Sequence, residues 1–199
     1  KESSIGKEYE NLEIDTISEM RKRVLEKEKS SYWHQFKDGM LGPVAVRRLS
    51  DQIDEMMDEG GLVSIAERKD LELLLKTPKL LSKMQNVPLI KSITKQRFFE
   101  RLSTSYEIAR GFVDAQDDVI KLVESMYRSL EPDDKEGNDN LGIIESEINE
   151  NKIEGLTFIR NLRKTYPEIY DAISTRHAIR SLLNYEMKTV ERLQKNGRI

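Results

Sequence analysis

No proline interrupts the chain between Pro88 and Pro132, and from Leu89 to Leu130 the apolar side chains keep to one helical face. Phe98, Leu102, Tyr106, Ala109, Phe112, Val113, Val119, Ile120, Val123, Tyr127 and Leu130 recur at three- and four-residue spacing, with Gln116 in the same row. That periodicity is the signature of a helix with one face turned inward. At 1.5 Å per residue such a helix would span roughly 60 Å, more than the width of a domain this size. The spacing therefore predicts a helix that protrudes, bends or packs on a second chain. Gly111 falls inside it, where a glycine is simply tolerated, kinks the helix slightly or admits a close crossing.

The other segments read the same way. Residues 1–10 are polar and are expected to form a disordered lead, with 11–199 a single helical domain. From Asn11 to Lys37 the apolar positions include Leu12, Ile17, Met20, Val24, Leu25 and Tyr32, and Asp38-Gly39 ends the run with a glycine able to take the left-handed cap conformation. Pro43 suits the first turn of a second helix, because its missing N–H has no partner there. Gly60-Gly61 closes that helix. A third is expected over about 63–76, and a short one between Pro78 and Pro88. The stretch 131–140, EPDDKEGNDN, has no apolar side chain and is expected to be a flexible acidic loop. Helices are then predicted over about 141–165 and from Pro167 to about Lys195, the last with a stripe of Ile169, Ile173, Ile179, Leu182, Leu183, Met187, Val190 and Leu193. The fold class is all-α: an irregular bundle of about six or seven helices with one long central helix and essentially no strand.

Charged residues make up 35% of the chain and apolar ones 37%, as suits amphipathic helices that bury one stripe and solvate the rest. The 33 Lys and Arg nearly balance the 36 Asp and Glu, so net charge gives no reason to expect nucleic acid. There is no cysteine, which excludes disulfides and thiolate chemistry and fits a reducing compartment. No apolar run approaches the ~18 residues of a membrane helix, and residues 1–7 have no signal-peptide core. Both ends read as cuts in a longer polypeptide.

Neither a catalytic nor a metal constellation is visible. No serine sits in a nucleophile elbow, and no phosphate-binding glycine loop occurs. The two histidines, His34 and His177, have no second histidine at helical spacing, so they read as residues of partly exposed helices; a second reading is pH sensing. Asp54/Glu55/Asp58/Glu59, Asp114/Asp117/Asp118 and Asp133/Asp134 read as solvated faces, since the Glu-x-x-His pairs of helical di-iron sites and the spacing of a calcium loop are both lacking. Lys91, Lys95, Arg97 and Arg101 form a basic run interleaved with Glu100 and Glu107, either an ordinary solvated face or a contact for phospholipid head groups or RNA. Tyr32-Trp33, with the only Trp, reads as core packing or a partner contact. No cofactor is expected.

Three segments carry a family resemblance. The first is Tyr32-Trp33-His34-Gln35-Phe36-Lys37-Asp38-Gly39-Met40-Leu41, continuing through Ala45, Leu49, Asp51 and Asp54 to Asp58. The second is Tyr106-Glu107-Ile108-Ala109 with Gly111-Phe112 to Gln116-Asp117. The third is Tyr166-Pro167-Glu168-Ile169-Tyr170 with Thr175-Arg176-His177-Ala178-Ile179-Arg180-Ser181-Leu182-Leu183 and Leu193 to Ile199. In order and rough spacing they resemble the cytoplasmic helical region after the transporter domain of long Na+/H+ exchangers, such as plant salt-tolerance antiporters, sperm-type exchangers and their bacterial relatives.

The resemblance implies a non-catalytic regulatory and dimerisation domain on the cytoplasmic side of a membrane, in a larger membrane protein. Its partners would be the transporter domain of the same polypeptide and a second protomer, with no nucleic acid and with peripheral contact to membrane head groups. Tyr32, Trp33, Phe36, Gly39, Tyr106, Phe112, Gln116, Pro167, Arg176 and Arg180 are the interface candidates it points to, and Arg176 and Arg180, one turn apart, could hold a carboxylate across a helix interface. The rival expectation is a helical scaffold or adaptor that binds a protein partner and has no link to transport.

Overall fold

The computed structural model describes residues 2–68 and 93–197. Among them lie five helices and no strand: α1 (Glu2–Lys37), α2 (Pro43–Asp58), α3 (Ile93–Ser129), α4 (Lys135–Thr165) and α5 (Pro167–Lys195). The all-α class stands. The segment expected as a disordered lead carries helical backbone from Glu2 onward.

Proline and glycine set most boundaries. Pro43 and Pro167 occupy the first turns of α2 and α5, and Gly39, Gly60, Gly61 and Gly197 take positive φ values of 69, 73, 74 and 64° where helices stop. Those angles cost an L side chain energy and glycine very little.

From Leu102 onward the long helix is central. The 37-residue α3 lies against α1, α2 and α4 and touches α5, beside the 36 residues of α1 and the 31 of α4. The core is its inward row, Leu102, Ile108, Phe112, Ala115, Val119 and Val123, packed with Leu25 and Tyr32 of α1, Leu49 and Ile53 of α2, and Ile144 and Ile148 of α4. Removing such large side chains from water stabilises the fold by about 1.5–3 kcal/mol each.

Two expected elements differ. Residues 63–68, expected to open a third helix, form an irregular strap instead; the rest of that helix and the short one near Leu80 lie outside the described residues. The strap buries Ile65 completely, and polar side chains from two helices hold it in place. Arg21 of α1 donates to the Gly61 and Leu62 carbonyls (each 3.4 Å), Glu147 of α4 accepts from the Ile65 N–H (3.2 Å), and Asn151 donates to the Ile65 carbonyl (2.9 Å). These partners satisfy backbone groups that a helix would have paired internally.

The acidic loop is short. Only residues 130–134 connect α3 to α4, and 135–140 are helical, because Asp134 caps the turn by accepting from the Gly137 N–H at 2.8 Å.

Candidate functional site

Three helices meet at the turn between α1 and α2, and the three family-like segments meet with them. Gly39 and the Met40 and Leu41 amides close the end of α1, the latter two donating to the Gln35 carbonyl at 2.8 and 3.2 Å. The Gln35 side chain reaches the other way and donates to the Gly111 carbonyl of α3 at 2.9 Å. Gly111 is there for close approach: a Cβ at that position would lie 2.5 Å from a methyl of the buried Leu41. Of the readings open for Gly111, the structure selects the close crossing, made with the turn.

The Met40 carbonyl points at α5. Arg180 donates to it at 2.7 Å, and His177 Nε2 lies 3.0 Å away, so Nε2 carries the hydrogen. Arg180 also pairs with Glu107 of α3 at 2.8 Å, and the other Glu107 oxygen accepts from the Gly42 N–H at 3.1 Å. Turn, α3 and α5 are thus joined through one arginine, one glutamate and one histidine. Tyr106 supports this junction with its ring edge-on to Tyr170 (5.8 Å) and to His177 (5.9 Å). Burial pushes the His177 imidazole below its ordinary pKa, and the Met40 carbonyl only partly counters this. Further along α5, Lys188 pairs with Asp38, and Asn184 sits against Gly39, where no Cβ would fit.

α5 therefore docks by its polar face. At 100° per residue, His177, Arg180, Ser181, Asn184 and Lys188 share one side of the helix, and Ile179, Leu182, Leu183, Val190 and Leu193 share the opposite side. Only Ile173, with Ile169 and Tyr170 beside it, enters the core. Ile179, Leu182, Leu183, Met187 and Val190 are 45–58% exposed, so the stripe expected to be core along the whole helix faces outward over its second half.

A second constellation lies inside. Tyr32 is fully buried and its hydroxyl donates to Glu28, which forms a two-pronged pair with Arg68 at 2.6 and 2.8 Å. The Arg68 guanidinium lies 5.0 Å from the centre of the Phe112 ring. Burial, reinforced by Glu28, pushes the Tyr32 hydroxyl well above its usual range. Nearby, Arg21 grips Glu147 through contacts of 2.5 and 3.2 Å.

The sequence-derived candidates thus divide. Gly39, Tyr106 and Arg180 belong to the junction, and Pro167 starts the helix that brings Arg180 to it. Tyr32 and Phe112 belong to the buried constellation. Trp33 is 43% exposed and stands edge-on to the partly buried Phe36 at 5.8 Å, so it is not a core residue. Gln116 is completely buried, with neither amide atom bonded. Arg176 is exposed and lines a groove beside the junction; of the expected arginine pair, Arg180 alone holds a carboxylate. His34 is exposed, its Nδ1 2.9 Å from the Ser30 carbonyl. Of the basic run, Arg97 and Arg101 are exposed, and Lys91 lies outside the described residues. Sequence reasoning missed Glu107 as a site residue, along with Glu28, Arg68, Arg21 and Glu147. For the four on helices the only signal was a charged residue falling on the inward side, and Arg68, in the strap, carried none.

Among the described residues no group of three or more His, Asp or Glu side chains could hold a metal ion, and no helix is long and apolar enough to cross a membrane. Fold and site together define an all-α helical module whose distinctive feature is a polar junction between helices. Over 195 residues it is 23% identical to sodium/hydrogen exchanger 8 and 22% identical to sodium/hydrogen exchanger 7, both of Arabidopsis thaliana. Those matches take in 96% of this chain but only 24% and 16% of the two exchangers, so the chain spans less than a quarter of the length of each. The homology is weak and continuous along the chain. No protein-family model matches it.

Proposed function

We propose that this chain is a non-catalytic regulatory and dimerisation segment on the cytoplasmic side of a Na+/H+ exchanger. The likeness to two plant exchangers over nearly the whole chain supports the exchanger part of that reading. One observation carries the dimerisation part: α5 docks by its polar face and leaves Ile179, Leu182, Leu183, Met187 and Val190 exposed as one continuous stripe. A helix normally buries its apolar side. A row of this kind suits a second helix, from a partner protomer or the membrane part of the same polypeptide. The junction supplies the other requirement, a contact of a few hydrogen bonds that a distal signal can make or break.

Light scattering on the chain, and on a variant with Leu182, Leu183 and Val190 changed to Ser, tests the dimer. A concentration-dependent dimer that the variant abolishes is the expected result. A monomer at all concentrations removes dimerisation and leaves the exchanger assignment to a transport assay of the parent with and without this segment. The rival adaptor reading uses the same stripe, and a parent that moves neither Na+ nor H+ would favour it.

A further inference from the structure

Three arginines frame an open groove between α2 and α3. Arg48 comes from α2, and Arg97 and Arg101 come from successive turns of α3. The groove has a volume of about 450 Å³, and Thr104 and Glu100 also line it. All three arginines are exposed, and none forms an ion pair among the described residues. In contrast, Arg21, Arg68, Arg110 and Arg180 each hold a carboxylate. Glu100, the one acidic residue lining the groove among the described residues, accepts instead from Gln96 at 3.0 Å. The first turn of α2, which adjoins the groove through Val44, has neither a side-chain cap nor an acidic residue, so its positive end adds to the arginine charge.

We infer that this groove is a binding site for a phosphomonoester. Among the described residues, three guanidinium charges less one carboxylate leave a net charge of two, which a phosphomonoester matches with its ≈ −1.5 to −2 near neutral pH. Guanidinium forks pair with phosphate oxygens two at a time, and arginine keeps its charge at every physiological pH. Placing the three on two helices aims them at one volume, unlike lysines scattered over a surface. The Thr104 hydroxyl spends its hydrogen on the Glu100 carbonyl at 3.0 Å, so the donors the groove offers a phosphate are the guanidinium N–H groups. The phosphate can come from an inositol lipid head group or from a free inositol phosphate; the chemistry at the groove is the same. The inference stands apart from the exchanger assignment.

The test is calorimetric titration of the chain with inositol trisphosphate, alongside co-sedimentation with phosphatidylcholine vesicles with and without a phosphatidylinositol bisphosphate. The comparison variants are Arg48→Gln/Arg97→Gln/Arg101→Gln and a charge-matched control, Arg160→Gln/Lys164→Gln/Arg192→Gln. Loss of about a hundredfold in affinity is expected for the groove variant and little change for the control, at ~1 kcal/mol per arginine. Tighter binding to bisphosphate vesicles than to the free head group would identify the lipid as the source, and the reverse would identify the soluble ligand. The proposal is overturned by no binding, by equal losses in both variants, or by phosphatidylserine vesicles binding as well as bisphosphate ones. The single variant Arg48→Glu repeats the test if the triple variant melts early.

Discussion

Arg180 and Met40 are 140 positions apart in sequence, and a guanidinium nitrogen of one lies 2.7 Å from the carbonyl oxygen of the other. That bond, with the Glu107 pair beside it, fastens the last helix to the first turn of the fold. Arg180→Gln removes the ion pair at a half-exposed site and is expected to cost about 1–2 kcal/mol. Hydrogen exchange should quicken along α5 from His177 onward and leave the Leu102–Val123 core protected. Unchanged exchange in α5 would mean that the helix is held elsewhere.

Gly111→Ala is expected to destabilise the chain by about 1–3 kcal/mol, although alanine is the better helix former, because the new methyl meets Leu41. Adding Leu41→Ala should recover part of that loss. A denaturant-melt double-mutant cycle with a coupling near zero would show that Leu41 moves aside freely.

The Glu28–Arg68 pair is almost completely buried, so breaking one side strands a charge. Arg68→Met is expected to cost about 3–5 kcal/mol, and the double change with Glu28→Gln much less than the sum of the two singles. Thermal melts of the four proteins check this; additive losses would remove the claim that the two charges act as one unit.

His177 gives the chain a pH dependence of known sign. Its imidazole titrates below the ordinary value of about 6.5 when folded, chiefly through burial, with Arg180 and Arg110 also opposing its charge and Glu107 favouring it. Asp114 of α3, close enough to feel that charge, is itself held above the usual carboxylate range, mainly by burial. The unfolded chain binds the His177 proton first, so stability from this group is full above about pH 6.5 and falls as pH drops from there toward the folded value. Stability measured across that window should lose this slope in His177→Gln, and an identical slope in the variant would assign it to another group.

Much of the architecture was legible because proline and glycine punctuate it. Pro43, Pro167, Gly39 and Gly197 act through local backbone geometry, which a sequence displays directly. The strap at 63–68 was not legible: Val63, Ile65 and Ala66 suit a helix, and what prevents one is Arg21, Glu147 and Asn151, each distant in sequence. The start of α4 was hidden by composition, since Gly137, Asn138 and Asp139 look like loop residues until Asp134 caps the turn they begin. In the site, the interface candidates included Gly39, Tyr106 and Arg180; Met40 and Glu107 lay in the family-like segments beside them, but nothing marked the Met40 carbonyl or the Glu107 carboxylate as what joins them. A backbone oxygen carries no mark in a sequence, and an inward glutamate resembles any other until its arginine is placed.

The grip of Arg21 on Glu147 crosses the short connection at 130–134, the place where a protease or a cloning boundary would most naturally divide the chain. Dividing it there would separate the two partners and leave a buried charge alone in each piece, and the strap between Gly61 and Arg68 would lose its anchors from α4. Two halves produced apart should therefore stay poorly folded and recover their structure only when mixed, which makes α1, the strap and α4 one cooperative folding unit despite the open-looking joint.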